Sequence, residues 1–188
     1  ELWLWRTSWS EVFATAAYRD VRFETEALEN LVKNNINVSW TRESKLPDRF
    51  DFRSARVRLF TLRLANQKNL TDASGQITSG RKLLTEHGRD ALVRIFTTPK
   101  GATPSLKKLI QGPGNRFLLS PETDTIFRER LKHGPDYSED ALAAHFIDYH
   151  SLQSLRSGDL ESFLKNRATA MEQWDHDEWT SCVARAEV

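Results

Sequence analysis

Cysteine occurs once in the 188 residues, at Cys182, which excludes an internal disulfide framework and any zinc site built from several cysteines. A single thiol fits a reducing compartment, so a cytoplasmic location is expected. Long apolar runs are missing as well, so no membrane-spanning helix is expected, and no charged-then-apolar leader opens the chain. Excess charge is also missing: 27 Lys and Arg against 26 Asp and Glu leave +1. Any polyanion must therefore be met by a local patch rather than by a global field. Methionine occurs once, at Met171, and residue 1 is Glu. A piece of a longer protein is the expectation, with the apolar opening Leu2-Trp3-Leu4-Trp5 seeking a partner surface. What is abundant is aromatic: 6 Trp, 10 Phe and 3 Tyr, with 39% hydrophobic residues overall, mark a globular chain.

Apolar spacing predicts a mainly α protein. Helices are expected over 1–18, along Trp5, Trp9, Val12, Phe13 and Ala16, and over 22–34, along Phe23, Ala27, Leu28 and Leu31. Residues 36–52 are irregular, with an extended piece at 37–41. The run 53–66 reads as strand or helix; its length and two alanines favour helix. Residues 67–80, rich in Asn, Thr, Ser and Gly, read as a loop. Beyond them a short helix from 80 leads to extended Val93 to Thr98. A loop, a short helix at Ser105 to Gln111 and a firm break at Gly112-Pro113-Gly114 follow. Asn115 to Ser120 reads as a strand, and Glu122 to Lys132 as a helix behind Pro121. Ser138 and Asp159 have the character of N-caps for two more helices, the last a long one with Leu160, Phe163, Leu164, Arg167, Ala168 and Met171 on one face.

Between Ala91 and Pro121 there is no Asp or Glu; all 26 acidic residues lie outside that span. The same span carries Arg94, Lys100, Lys107, Lys108 and Arg116 among Gly, Thr and Pro. Loops of this kind let backbone amides approach phosphates and let cations displace counterions, so these five are the candidate DNA-binding residues. Strand, loop, second strand opening on Asn, then helix is also the order of a ββα-metal nuclease finger. Such a finger needs a general-base His near the end of the first strand, a metal ligand on or before the helix, and an Asn that orients the base.

Several stretches resemble the C-terminal half of GmrSD-type bacterial restriction and phage-defence proteins. Leu2-Trp3-Leu4-Trp5-Arg6-Thr7-Ser8 is similar to a W-x-W-R-x-S helix. Thr78-Ser79-Gly80 resembles the small-residue turn before the finger. Asn115-Arg116-Phe117-Leu118-Leu119-Ser120 resembles an N-x-x-L-L-S strand, and Ala141 to Ile147 with Asp159 to Arg167 resembles the family's tail. The resemblance implies a helical region over 1–80, a ββα-like HNH-type module over 81–133 and C-terminal helices over 134–188. It implies double-stranded DNA as partner, together with an N-terminal nucleotide-dependent domain of the parent protein. A departure accompanies it: where the family shows a His-His-Ile-Phe-Pro-like stretch, this chain has Val93-Arg94-Ile95-Phe96-Thr97-Thr98-Pro99. Neither Val93 nor Arg94 accepts a proton from water or binds a hard cation.

Three functions follow as expectations. The first is a DNA-binding module with a degenerate nuclease finger. The second is an active endonuclease or nickase with rearranged ligands. It would use His87 as base with Asn115, and Asp90 and Asp124 would hold Mg²⁺ or Mn²⁺, a metal expected only in this case. The third is a helical interaction module docking a missing domain through Trp3, Trp5 and Trp9. His145, on an apolar face with Leu142 and Phe146, is expected in the core. Arg167 is expected on the surface, paired with Glu161 or Glu172. Trp174, His176, Asp177 and Trp179 are expected in a fraying terminal segment.

Overall fold

A computed structural model of the chain describes residues 46–51, 57, 60, 61, 64, 65, 69–71, 77–135 and 137–186. These residues are mainly helical, with two small antiparallel two-stranded sheets. The helices expected over 1–18 and 22–34, the piece at 37–41, and Trp3, Trp5 and Trp9 lie outside the described residues.

Helix is the outcome in the ambiguous run after residue 53. Val57, Phe60, Thr61, Leu64 and Ala65 have helical backbone and are all buried. Thr61 Oγ1 donates to the Val57 carbonyl one turn back at 2.8 Å, a bond that only helical geometry brings within reach. Residues 67–80 correct the loop expectation. They contain β1 (Asn69–Thr71) and β2 (Ile77–Ser79), paired with Leu70 opposite Thr78. Leu70, 1% exposed, is the apolar residue of β1, and a three-residue strand is too short to show a countable period.

The chain continues through α1 (Gly80–His87), a 3-10 turn (Gly88–Ala91), β3 (Leu92–Arg94), α2 (Pro104–Gln111), a second 3-10 turn (Pro113–Asn115) and β4 (Arg116–Leu118). A third 3-10 turn (Pro121–Thr123) precedes α3 (Asp124–His133), α4 (Glu139–Ala144), α5 (Tyr149–Arg156) and α6 (Leu160–Ala186). Caps fall where the residue types demand them. Thr103 accepts from Leu106 N with Pro104 next to it, Ser138 accepts from Ala141 N, and Asp159 accepts from Ser162 N. Helix α5 is the one unexpected helix among these; Asp148 caps it, accepting from Ser151 N at 2.6 Å.

Strands β3 and β4 pair antiparallel, with Leu92 opposite Leu118, Val93 opposite Phe117 and Arg94 opposite Arg116. Residues directly opposite share a face, and successive residues alternate. Leu92 and Leu118 therefore enter one apolar cluster, with Phe50, Phe60, Leu84 and Met171, while Val93 and Phe117 enter a second, with Phe127, Leu131 and Phe163. The sheet is a partition between two cores. The first core draws on residues before 81, within 81–133 and after 134.

Helix α6 runs along both cores. Its Phe163 and Leu164 belong to the second, and Met171 and Trp174 to the first. Trp174 meets Phe60 at 5.5 Å and Phe146 at 5.6 Å, both edge-on. The frayed terminus expected around Trp174 is thus corrected: an aromatic packed on two others holds this stretch of helix down. Arg167 is corrected too. It is 1% exposed, on the apolar stripe, and its guanidinium donates to backbone carbonyls instead of meeting Glu161 or Glu172. His145 is 2% exposed, its ring 4.9 Å from that of Phe127, as expected of a core residue. No helix among the described residues is long and apolar enough to cross a membrane.

Candidate functional site

The acid-free span folds as the connection between the two strands of one sheet. Leaving β3, the chain passes Ile95 and Phe96, both buried, and reaches an exposed tip. There Ala102 N donates to the Pro99 carbonyl at 3.2 Å, and Gly101 takes φ 79°. A turn with positive φ at its third residue favours Gly and leaves its second residue, Lys100, at the outside corner. Helix α2 follows. It buries Ile110, half-buries Leu106 and Leu109, and leaves Lys107 and Lys108 exposed. The turn Pro113–Asn115 then returns the chain to β4.

Asn115 closes this connection. It is fully buried; its Oδ1 accepts from Phe96 N at 2.9 Å, and its Nδ2 donates to the carbonyls of Phe96 at 2.8 Å and Ile110 at 2.9 Å. One amide side chain thereby fixes the start of the loop to the end of α2. Its donors and acceptor are spent on backbone, so the residue is a tether. Gly114, beside it, packs so tightly on α6 that an added Cβ would lie 2.0 Å from the Leu164 carbonyl oxygen. Arg167 holds the same turn from the other side, donating to the Gly114 carbonyl at 2.7 Å and, through Nε, to the His145 carbonyl at 2.7 Å. Burial pulls the Arg167 pKa down to about 9, so the group remains a cation at neutral pH.

The five candidate cations meet different surroundings. Arg94, Lys100 and Lys107 are exposed. Lys108 is exposed but lies 2.8 Å from Asp48. Arg116 is half-buried, and its Nε has no hydrogen-bond partner. Burial and the facing Arg94 cation pull the Arg116 pKa below its ordinary value, and Asp51 opposes them. Residues 46–51 supply these carboxylates, docked by Phe50 N donating to the Gln111 carbonyl at 2.9 Å.

Helix α3 lies on the Phe117 face, where Phe127 meets Phe117 at 5.5 Å. From it Arg128 Nη1 reaches back to the Ile95 carbonyl at 3.2 Å. The candidates for hydrolytic chemistry each meet a neighbour in sequence. His87, half-buried at the end of α1, has Nε2 4.0 Å from Glu86. Asp90 is 75% exposed beside Arg89. Asp124 accepts from Thr125 Oγ1 at 3.0 Å. Among the described residues no three His, Cys, Asp or Glu side chains group so as to hold a metal ion. Sequence reasoning missed Arg167 and the tethering use of Asn115; the signal for the first was a charge set within an apolar helical stripe.

The chain matches no family model, no curated protein and no solved structure.

Proposed function

We propose that this protein binds duplex DNA through the β3–β4 connection, as a catalytically silent relative of the HNH-type nuclease finger. The observation that supports it most is the pairing of β3 with β4 around an acid-free connection, followed by α3 packed on the Phe117 face. Exposed Arg94, Lys100 and Lys107 supply the cations, and no carboxylate within the span neutralises them. The position where a general base would stand holds Val93 and Arg94, and Asn115 is occupied in tethering. Positioning and charge neutralisation survive in such a module; proton abstraction does not. Any strand cleavage then belongs to another domain of a longer protein.

Fluorescence anisotropy of a labelled mixed-sequence duplex, titrated with the full chain over a range of salt, tests this reading. Three exposed cations on phosphates predict a log–log salt slope of about −2 to −3. The double variant Lys100→Glu, Lys107→Glu should lose most of the affinity while keeping its thermal midpoint. No binding at low salt, or an affinity indifferent to salt, overturns the reading. Nicking of plasmid by the purified chain with Mg²⁺ or Mn²⁺ would overturn its silent part.

A further inference from the structure

A ladder of two three-residue strands is short, and opposite charges or apolar side chains across it would help hold it. The sequence does the reverse at one rung. Arg94 and Arg116 are direct partners, so their side chains leave the sheet on the same face, and their like charges oppose each other. Arg116 feels Asp51, but the Asp51 carboxylate also lies 3.9 Å from Arg49 Nε, and Asp48 is taken by Lys108. Among the described residues, Arg49, Arg94, Lys108 and Arg116 stand here with Asp48 and Asp51. Within this group one donor, Arg116 Nε, is shielded from water and lacks an acceptor. An arginine pair with like charges facing and a hydrogen bond unmade has what an oxyanion needs: a planar fork that matches phosphate oxygens and a second cation beside it.

We infer that Arg94 and Arg116 together clamp a single phosphate group. The Arg116 guanidinium turns on binding so that its Nε gains the missing acceptor, and exposed Arg94 closes on the same group from the opposite strand. This rests on the nucleic-acid reading above and sharpens it: the phosphate is one of the DNA backbone, and the clamp sets the register of the β3–β4 connection on the duplex. Lys100 and Lys107 add charge around it without a fixed geometry.

The test compares the full chain with Arg94→Gln and Arg94→Lys, because Arg94 is exposed and its replacement leaves the core intact. Thermal midpoints are read without ligand and with inorganic phosphate at constant ionic strength, and duplex affinity is read against salt. Arg94→Gln should raise the ligand-free midpoint, since a repulsion is removed, abolish the phosphate-induced rise, weaken the duplex about tenfold and flatten the salt slope by about one unit. Arg94→Lys should keep the slope but lose part of the affinity. If the unaltered chain binds duplex and Arg94→Gln changes neither affinity nor slope, the clamp is overturned and the DNA reading stands. If the unaltered chain fails to bind duplex but shows an Arg94-dependent rise with phosphate, the clamp stands for free phosphate and the DNA reading falls. Neither response removes both.

Discussion

The guanidinium carbon of Arg167 lies 3.5 Å from the centroid of the Phe117 ring. One cation thereby joins α6 to the middle of β4 across the second core, while its nitrogens hold the Gly114 and His145 carbonyls. A charge in an apolar interior is costly unless its donors are met and its field is answered. Here the Gly114 and His145 carbonyl oxygens and the Phe117 π face do both. The arrangement orients the turn that delivers Asn115 and β4, so the shape of the candidate interface depends on a residue remote from it.

Arg167→Met is therefore expected to lose about 3 kcal/mol, since two buried carbonyls forfeit charged donors and the ring contact goes with them. Arg167→Lys should recover less than half, because an ammonium lacks the planar fork that reaches both carbonyls and stacks on the ring. Urea unfolding followed by far-UV circular dichroism measures both. A loss below about 1 kcal/mol for Arg167→Met would contradict the role given to it.

Asn115→Asp keeps the shape of the side chain but replaces the two donated bonds with an acid facing the Phe96 and Ile110 carbonyls. Burying an unpaired carboxylate there should cost about 3 kcal/mol or more. The local readout is hydrogen exchange: the Phe96 amide, protected by Asn115 Oδ1, should exchange faster in Asn115→Ala even under conditions where β3 itself remains protected. Unchanged protection at Phe96 would show that the tether is not closed in solution.

Much of this architecture could be read from residue types acting locally. Ser138 announces α4 and Asp159 announces α6, because an N-cap hydrogen bond is made within three residues and needs no distant partner; the helix expected from Ser105 begins one residue earlier, at Pro104 behind the Thr103 cap. Extended pieces expected over 93–98 and 115–120 are found as the shorter strands Leu92–Arg94 and Arg116–Leu118. Features decided by distant packing could not be read this way. Leu70 becomes a strand residue by burying one side chain. Trp174 is fixed by Phe60 and Phe146, far away in sequence. The uses of Arg167 and Asn115 are set by carbonyls whose positions exist only in the folded chain. The cations of the span were legible, but the pairing of Lys108 with Asp48 and the facing of Arg94 by Arg116 were not.

Two glycines separate close packing from backbone freedom. At Gly114 an added methyl would fall 2.0 Å from the Leu164 carbonyl oxygen, which is backbone and cannot swing aside. Gly114→Ala should push α6 away from the turn and destabilise by about 3 kcal/mol or more, in the manner of an overpacked core. At Gly101 an added Cβ meets nothing within 4 Å, but φ is 79°. Gly101→Ala should cost about 1 kcal/mol through the left-handed backbone alone. Chemical denaturation of the two variants measures the contrast; equal losses would mean that the turn yields as a unit.

Acid sensitivity should begin at the helix N-caps. Asp148 accepts from Ser151 N, and Asp159 from Ser162 N; these bonds favour the carboxylates and hold both pKa values below the ordinary 3.8. In the unfolded chain the same groups take up protons near that ordinary value, so on acidification the unfolded state binds protons first. Stability is then complete above the unfolded value and is lost as pH falls through the lower folded values, below which both states are protonated and the contribution has gone. Asp148→Asn keeps a side-chain oxygen for Ser151 N but does not titrate. At neutral pH it should cost less than Asp148→Ala, for which about 1 kcal/mol is expected from loss of the cap. Its stability should also fall less steeply as the pH drops below the ordinary carboxyl value of 3.8. Urea midpoints across that range decide the matter: parallel curves for Asp148→Asn and the unaltered chain would mean that the acid response originates at other carboxylates.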